Sequence, residues 1–303
     1  NNTVVKSGNI TSANTISAAV SGLNFGTFYY VYVRSNCGTS NGAWTMFPFK
    51  FATLCDVISG NFSENFDTTV AGSSTQESYP YCWSYVDNVA TTGYGYVEDA
   101  TAQSAPNSFR LYRTNSTTNA TQNVVLISPE TVNLGNGNKR IRFSAMATNT
   151  NVSNKLQVVR SNGKTATSTY TVIEEIIIDH TNYVEYAVYP TATTDDYFGF
   201  RLAHNGTTAA VDINIDDVYY EDVPPILIDV VKTDVLCNGA TTGTVDATVE
   251  GGKPPYTYAW SPSSATTASV ANLPAGTHTV TVTDARGTVK TASATITEPT
   301  LIL

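Results

Sequence analysis

Val211, Ile213 and Ile215 alternate with Asp212, Asn214 and Asp216, and no other feature of the chain leaves it so few folds. A period of two places successive side chains on opposite faces, so residues 210–220 read as a long β-strand with one face in a core. With 303 residues the chain is long enough for two or three such cores. Gly, Pro, Asn, Thr and Ser recur at short intervals, and no segment carries a convincing amphipathic helical pattern. The expected class is all-β, with tandem β-sandwiches along the chain.

Asp216 and Asp217 end the alternation with two adjacent carboxylates, which repel each other and are disfavoured in a strand. A compensating hard cation held by oxygens, calcium, is the natural expectation. Its second half is expected in residues 62–67, where Glu64 and Asp67 lie about 150 residues upstream, a spacing at which the first and last strands of one sandwich meet.

Charged residues make up 14% of the chain and the net charge is -9, which excludes nucleic acid and anionic membrane as partners. No apolar run is long enough to span a bilayer, and Asn1 does not begin a signal peptide. The Thr- and Asn-rich, Lys-poor composition points to an extracellular protein. Catalysis is not expected: His180, His204 and His278 fall on separate elements, without a nucleophile elbow, zinc spacing or phosphate loop. Glu174 and Glu175 are neighbours on one strand, point to opposite faces and cannot jointly flank a glycosidic bond.

Between residues 56 and 223, strands are expected at 124–128, 139–147, 155–160, 172–179, 183–189 and 197–203, separated by Asn-Gly turns at 135–138 and 161–164. Eight to ten strands of this kind make a two-sheet jelly roll. Tyr79, Tyr81, Trp83 and Tyr85, followed by Tyr94 and Tyr96, form an aromatic cluster with two readings. Tyr81, Trp83 and Tyr85 line a glycan-binding face, or Trp83 packs into the core.

The motifs Phe62-Ser63-Glu64-Asn65-Phe66-Asp67, Tyr81-Cys82-Trp83, Ile127-Ser128-Pro129, Asp196-Tyr197-Phe198-Gly199-Phe200-Arg201 and Ile215-Asp216-Asp217-Val218 follow one another in order. This succession resembles the jelly-roll adhesin modules of Bacteroidota surface proteins, a group similar to MAM domains and to the cleaved adhesin modules of gingipains. The resemblance runs from Cys55 to Asp222. It implies calcium held by Glu64, Asp67, Asp216 and Asp217, and a disulfide between Cys55 and Cys82 at the start of the sandwich. Cys37 lies at the far end of its strand from Cys55, and two readings of it stand, a partner upstream of Asn1 or a free buried thiol.

Residues 23–33 resemble the corner and F strand of a fibronectin type III domain, with Tyr29, Val31 and Val33 facing inward and a G strand at 44–53. Such a sandwich needs about 90 to 100 residues, so residues 1–55 are expected to be its C-terminal part. Pro224 and Pro225 then open a module at 224–299. Its segments Val235-Leu236-Cys237-Asn238-Gly239, Gly251-Gly252-Lys253-Pro254-Pro255-Tyr256 and Leu273-Pro274-Ala275-Gly276-Thr277-His278 resemble the SprB repeat, an Ig-like sandwich of gliding-motility adhesins. Tyr256, Tyr258 and Trp260 share one face, with Trp260 expected deepest. His278 stands where the family usually has Tyr, which puts the corner hydrogen bond in doubt, and Cys237 lacks its usual partner near Thr288 and is expected unpaired and buried. Pro299 repeats Pro225 at an offset of 74 residues, so residues 300–303 read as the start of a next module.

These resemblances imply a section of a large modular cell-surface adhesin. Attachment and gliding would be its work, type IX secretion its export route, and an outer-membrane filament its setting. The partners implied are a surface polysaccharide or substratum, the gliding motor and secretion machinery through other parts of the full chain, and neighbouring modules. The alternatives are carbohydrate-binding modules of a secreted polysaccharide-degrading protein, or a structural spacer.

Overall fold

The computed structural model describes residues 23, 27–32, 42–43, 45–46, 49–87, 93–114, 124–132, 134, 137–149, 154–202 and 210–301. Val33, Cys37, Trp44, His204 and residues 135 and 136 of the turn at 135–138 lie outside them, as do Ile302 and Leu303. The described residues form β-strands and turns without an α-helix, so the chain is all-β. No helix among them is long and apolar enough to cross a membrane. Two compact units result: residues 1–137 with 141–220, and residues 138–140 with 221–303.

Among the described residues of the first unit, β1 (Phe28–Val31) and β2 (Phe49–Ala52) come first as an antiparallel pair in which Tyr29 stacks on Phe51 at 5.8 Å. Val31 is exposed rather than inward-facing, because no second sheet covers that face among the described residues. After it come β3 (Phe62–Glu64), β4 (Ser84–Asp87), β5 (Gly93–Glu98), β6 (Ser108–Arg113), β7 (Val124–Ile127), β8 (Lys139–Ala147), β9 (Lys155–Ser161), β10 (Tyr170–Ile177), β11 (Val184–Val188), β12 (Tyr197–Leu202) and β13 (Val211–Asp222). One sheet has the order β10-β9-β12-β7-β4; the other runs β11-β8-β13-β6-β5, with β3 added along β13.

Their facing sides bury Phe109, Leu111, Leu126, Ile141, Phe143, Val158, Phe198, Phe200, Ile213 and Ile215 in one cluster, the two-sheet sandwich expected from the alternation. At about 25 cal/mol per Å2 of apolar surface, such burial is the main force holding the sheets together. β13 is buried on its second face too: Asp212 and Asn214 are covered, and Asp216 is fully inaccessible. The Arg110 guanidinium closes over Asp212, with Nε donating to Oδ1 at 2.9 Å and Nη2 to Oδ2 at 2.6 Å.

In the second unit, β14 (Leu227–Thr233), β15 (Gly243–Glu250) and β17 (Ser269–Leu273) make one sheet, while β16 (Thr257–Ser261), β18 (Gly276–Thr283) and β19 (Val289–Ile296) make the other. Val245, Leu273, Val280, Val282 and Ile296 close around Trp260, whose indole N–H donates to the Thr267 carbonyl at 2.9 Å. Trp260 is the buried member of its trio, as expected, with Tyr256 and Tyr258 half-buried. The corner hydrogen bond left in doubt by His278 is present: its Nε2–H donates to the Pro274 carbonyl at 3.0 Å. Cys237 is free, as expected, but exposed rather than buried, because it opens the turn Cys237–Ala240 at the edge of the sandwich.

Candidate functional site

β3 runs antiparallel to the C-terminal part of β13, with Glu64 opposite Val218, so the topology brings both acidic motifs to one corner. Phe66 and Asp217 there adopt left-handed φ values of 62° and 49°, conformations rare for residues other than Gly, Asn and Asp. The corner is closed by the loop 99–107, and the carboxylates hold that loop. Asp216 Oδ2 accepts the amides of Gln103 at 2.8 Å and Ser104 at 3.0 Å, while Oδ1 accepts that of Asp217 at 2.7 Å. Asp217 Oδ1 accepts the Ser104 hydroxyl at 2.8 Å. From the other side, Asp67 Oδ1 accepts the Asn107 amide at 3.0 Å, and Asn107 Nδ2 donates to the Thr69 carbonyl at 2.9 Å. Glu64 Oε1 turns back onto the Phe66 amide at 2.7 Å.

Burial dominates the electrostatics of the corner. It pushes Asp216 up to about 6, with the adjacent Asp217 charge adding to the rise and three amide donors opposing it. It likewise raises Glu64, assisted by the Asp67 charge. The four acids thus act as two repelling pairs, Glu64 with Asp67 and Asp216 with Asp217. Among the described residues no group of three or more His, Cys, Asp or Glu side chains converges as a metal site. Glu64 Oε2 and Asp217 Oδ2 accept no hydrogen bond among the described residues, so one carboxylate oxygen of each motif is open to a hard cation.

Cys55 and Cys82 are disulfide-bonded, with Cα atoms 5.6 Å apart. The same stretch separates the three aromatic residues expected to share a glycan-binding face. Trp83 is buried, edge-on to Phe198 at 6.0 Å and packed against Phe62 and Phe66, so the core reading of this residue is the correct one. Tyr81 is exposed, donates to the Thr53 carbonyl at 2.7 Å and lies 4.8 Å from the Phe28 ring. Tyr85 is half-buried against the core. Cys82, at φ 76°, breaks the strand parity that would have aligned them.

A different aromatic face forms on β5 and β6. Tyr94 and Tyr112 are cross-strand partners stacked at 4.5 Å and 13°, Tyr96 follows 5.6 Å from Tyr94, and Arg110 Nη1 donates to the Tyr96 hydroxyl at 3.3 Å. Tyr94 and Tyr96 stand out in the sequence, but Tyr112 and Arg110 carry no local signal; only the register of β5 against β6 assembles them. Glu175 and His180 are each held by neighbouring side chains or backbone. Glu175 is held by Lys155 and Gln157, at 2.7 and 2.8 Å, which keeps its carboxyl below the usual range. His180 bonds to the Asn182 carbonyl and the Tyr186 hydroxyl.

Two stacked-sheet units of antiparallel strands, one stapled by a disulfide, define a modular β-sandwich protein. Within its second unit, residues 230–265 match the family model of the SprB repeat. No curated protein sequence matches the chain. Among solved structures, the K2 cleaved adhesin domain of Lys-gingipain is similar at 16% identity and a TM-score of 0.40, over 53% of this chain and 99% of that one. The K1 cleaved adhesin domain of Lys-gingipain from Porphyromonas gingivalis W83 is similar at 19% identity and a TM-score of 0.39, over 54% and 99%. A family 11 carbohydrate-binding module of a Clostridium thermocellum cellulosomal cellulase is similar at 10% identity and a TM-score of 0.36, over 55% and 96%.

Proposed function

We propose that the chain is a section of a large cell-surface adhesin of a Bacteroidota bacterium, exported by type IX secretion and acting in surface attachment and gliding. The observation that carries this reading is the SprB repeat at residues 230–265, placed next to a disulfide-stapled sandwich. In this reading the work is non-catalytic: the modules give reach and contact, and other parts of the full chain engage the motor and secretion machinery. Calcium, held by Asp216 and Asp217 with Glu64 and Asp67 opposite, would relieve the repulsion within each acid pair and fix the loop 99–107. In-frame deletion of residues 1–303 from the full gene tests the reading. Export of the rest of the protein should persist while attachment to a substratum falls; undiminished attachment and gliding would contradict it.

A second reading, a carbohydrate-binding module, is favoured by the Tyr94, Tyr96 and Tyr112 face with its Arg110 and Asp212 pair. Aromatic rings beside charged hydrogen-bonding groups suit the CH faces and hydroxyls of a sugar. Polysaccharide affinity electrophoresis separates the two readings, since this face predicts retardation of the purified chain by a glycan.

A further inference from the structure

The polypeptide crosses the second unit from one pole to the other and is pinned at both. At the incoming pole the Pro224 carbonyl accepts the Gly252 amide at 2.8 Å. Gly251, at φ 72°, lies so close that a Cβ there would meet the Pro225 carbonyl oxygen at 2.1 Å. Asp284 secures this pole, with Oδ2 accepting the Lys253 amide at 3.0 Å and Oδ1 those of Arg286 at 2.9 Å and Thr288 at 2.8 Å. At the outgoing pole Asn238 Nδ2 donates to the Pro299 carbonyl at 3.1 Å, and the Gly239 amide donates to Glu298 Oε2 at 2.8 Å.

The first and last strands run in the same direction between these poles. β14 starts beside Ile226, which touches Gly252, and β19 starts after Thr288 in the turn that Asp284 closes at the same pole. Their far ends meet where the Val235 amide donates to the Thr297 carbonyl at 3.1 Å and the Thr297 amide donates to Asp234 Oδ1 at 2.6 Å. Each strand belongs to a different sheet. β14 is laddered to β15 from Leu227↔Glu250 to Thr233↔Thr244, and β19 to β18 from Thr283↔Val289 to Gly276↔Ile296.

Tension between Pro224 and Pro299 therefore draws β14 and β19 in opposite directions along their own axes. Both ladders are loaded in shear, where their hydrogen bonds resist together; peeling from one end would break them one after another. We propose that the second unit is a mechanical clamp that transmits tension along the chain, with the junction of Asp234, Val235 and Thr297 as its latch. The inference concerns force alone and is independent of what the first unit binds.

Single-molecule force spectroscopy on the whole chain tests it. Tethered by its two ends, the chain should release about 250 Å when residues 225–299 unfold. The force for that step should exceed, by about twofold or more, the force needed when handles on the exposed residues Leu236 and Thr300 pull from the outgoing pole alone. Equal forces in the two geometries would overturn the proposal. For the latch, Asp234→Ala should lower the end-to-end unfolding force while leaving the thermal midpoint nearly unchanged. A lowered midpoint with an unchanged force would remove the latch from the clamp.

Discussion

Asp216 accepts the backbone amide of Ser104 at 3.0 Å across 112 residues of chain, and this bond ties the loop 99–107 to the last strand of the first sandwich. The carboxylate is fully buried, so its charge is costly and its carboxyl titrates near 6 instead of the usual value of about 4.

A raised folded-state value means the native form holds the proton more tightly than the unfolded chain. The contribution of Asp216 is present in full below pH of about 4 and is lost as pH rises through about 6. In calcium-free buffer, Asp216→Asn should remove that downward slope from the melting profile of the first unit. An unchanged slope would place the titration elsewhere.

Calcium would reverse the cost of ionising the corner. Chelation should lower the melting temperature of the first unit and leave the second unchanged, because a ligand bound only by the folded form stabilises it, by about 3 kcal/mol at a hundredfold excess over Kd. Asp217→Ala should abolish the shift. Identical melting curves with and without chelator would end the calcium reading.

Asp284 works in the opposite sense. Its three amide donors hold the carboxyl below the usual range despite burial, which raises it, so its stabilisation is present above the unfolded value and lost as pH falls through the folded one. Asp284→Ala strands the Lys253, Arg286 and Thr288 amides and should cost about 2 to 4 kcal/mol, read as a lower denaturant midpoint for the second unit alone.

Trp83 and Tyr94 should separate packing from recognition. Trp83→Ala should destabilise the first unit by about 3 to 5 kcal/mol, the range for emptying a large aromatic site in a core. Tyr94→Ala, on the half-buried outer face, should leave the unit folded; if the second reading holds, it also abolishes retardation by glycan. Full retention by the folded Tyr94→Ala and Tyr112→Ala variants would take the glycan site off this face.

The inward face of β13 is legible in the sequence because alternation is a local property: Val211, Ile213 and Ile215 enter the core as their spacing requires. The burial of the opposite face is not, since it depends on Arg110, 102 residues from Asp212, and on a loop folded back over Asp216. Parity also misleads at Tyr81, Trp83 and Tyr85, where the left-handed Cys82 interrupts the strand geometry on which the spacing argument rests. His278 illustrates a different limit. The residue type departs from the expected tyrosine, yet its imidazole N–H still bonds to the Pro274 carbonyl, so the residue type alone does not decide whether the corner is closed. Strand pairing brings the motifs of Glu64 and Asp217 to one corner, but the amides that occupy Asp67 and Asp216 come from a loop without a sequence signal of its own.

Live cells of the source bacterium, labelled with antibody raised against this chain and imaged, test whether it is a surface adhesin of a gliding filament. Fluorescent foci on intact cells should travel along the cell body. Labelling that appears only after lysis would contradict that reading.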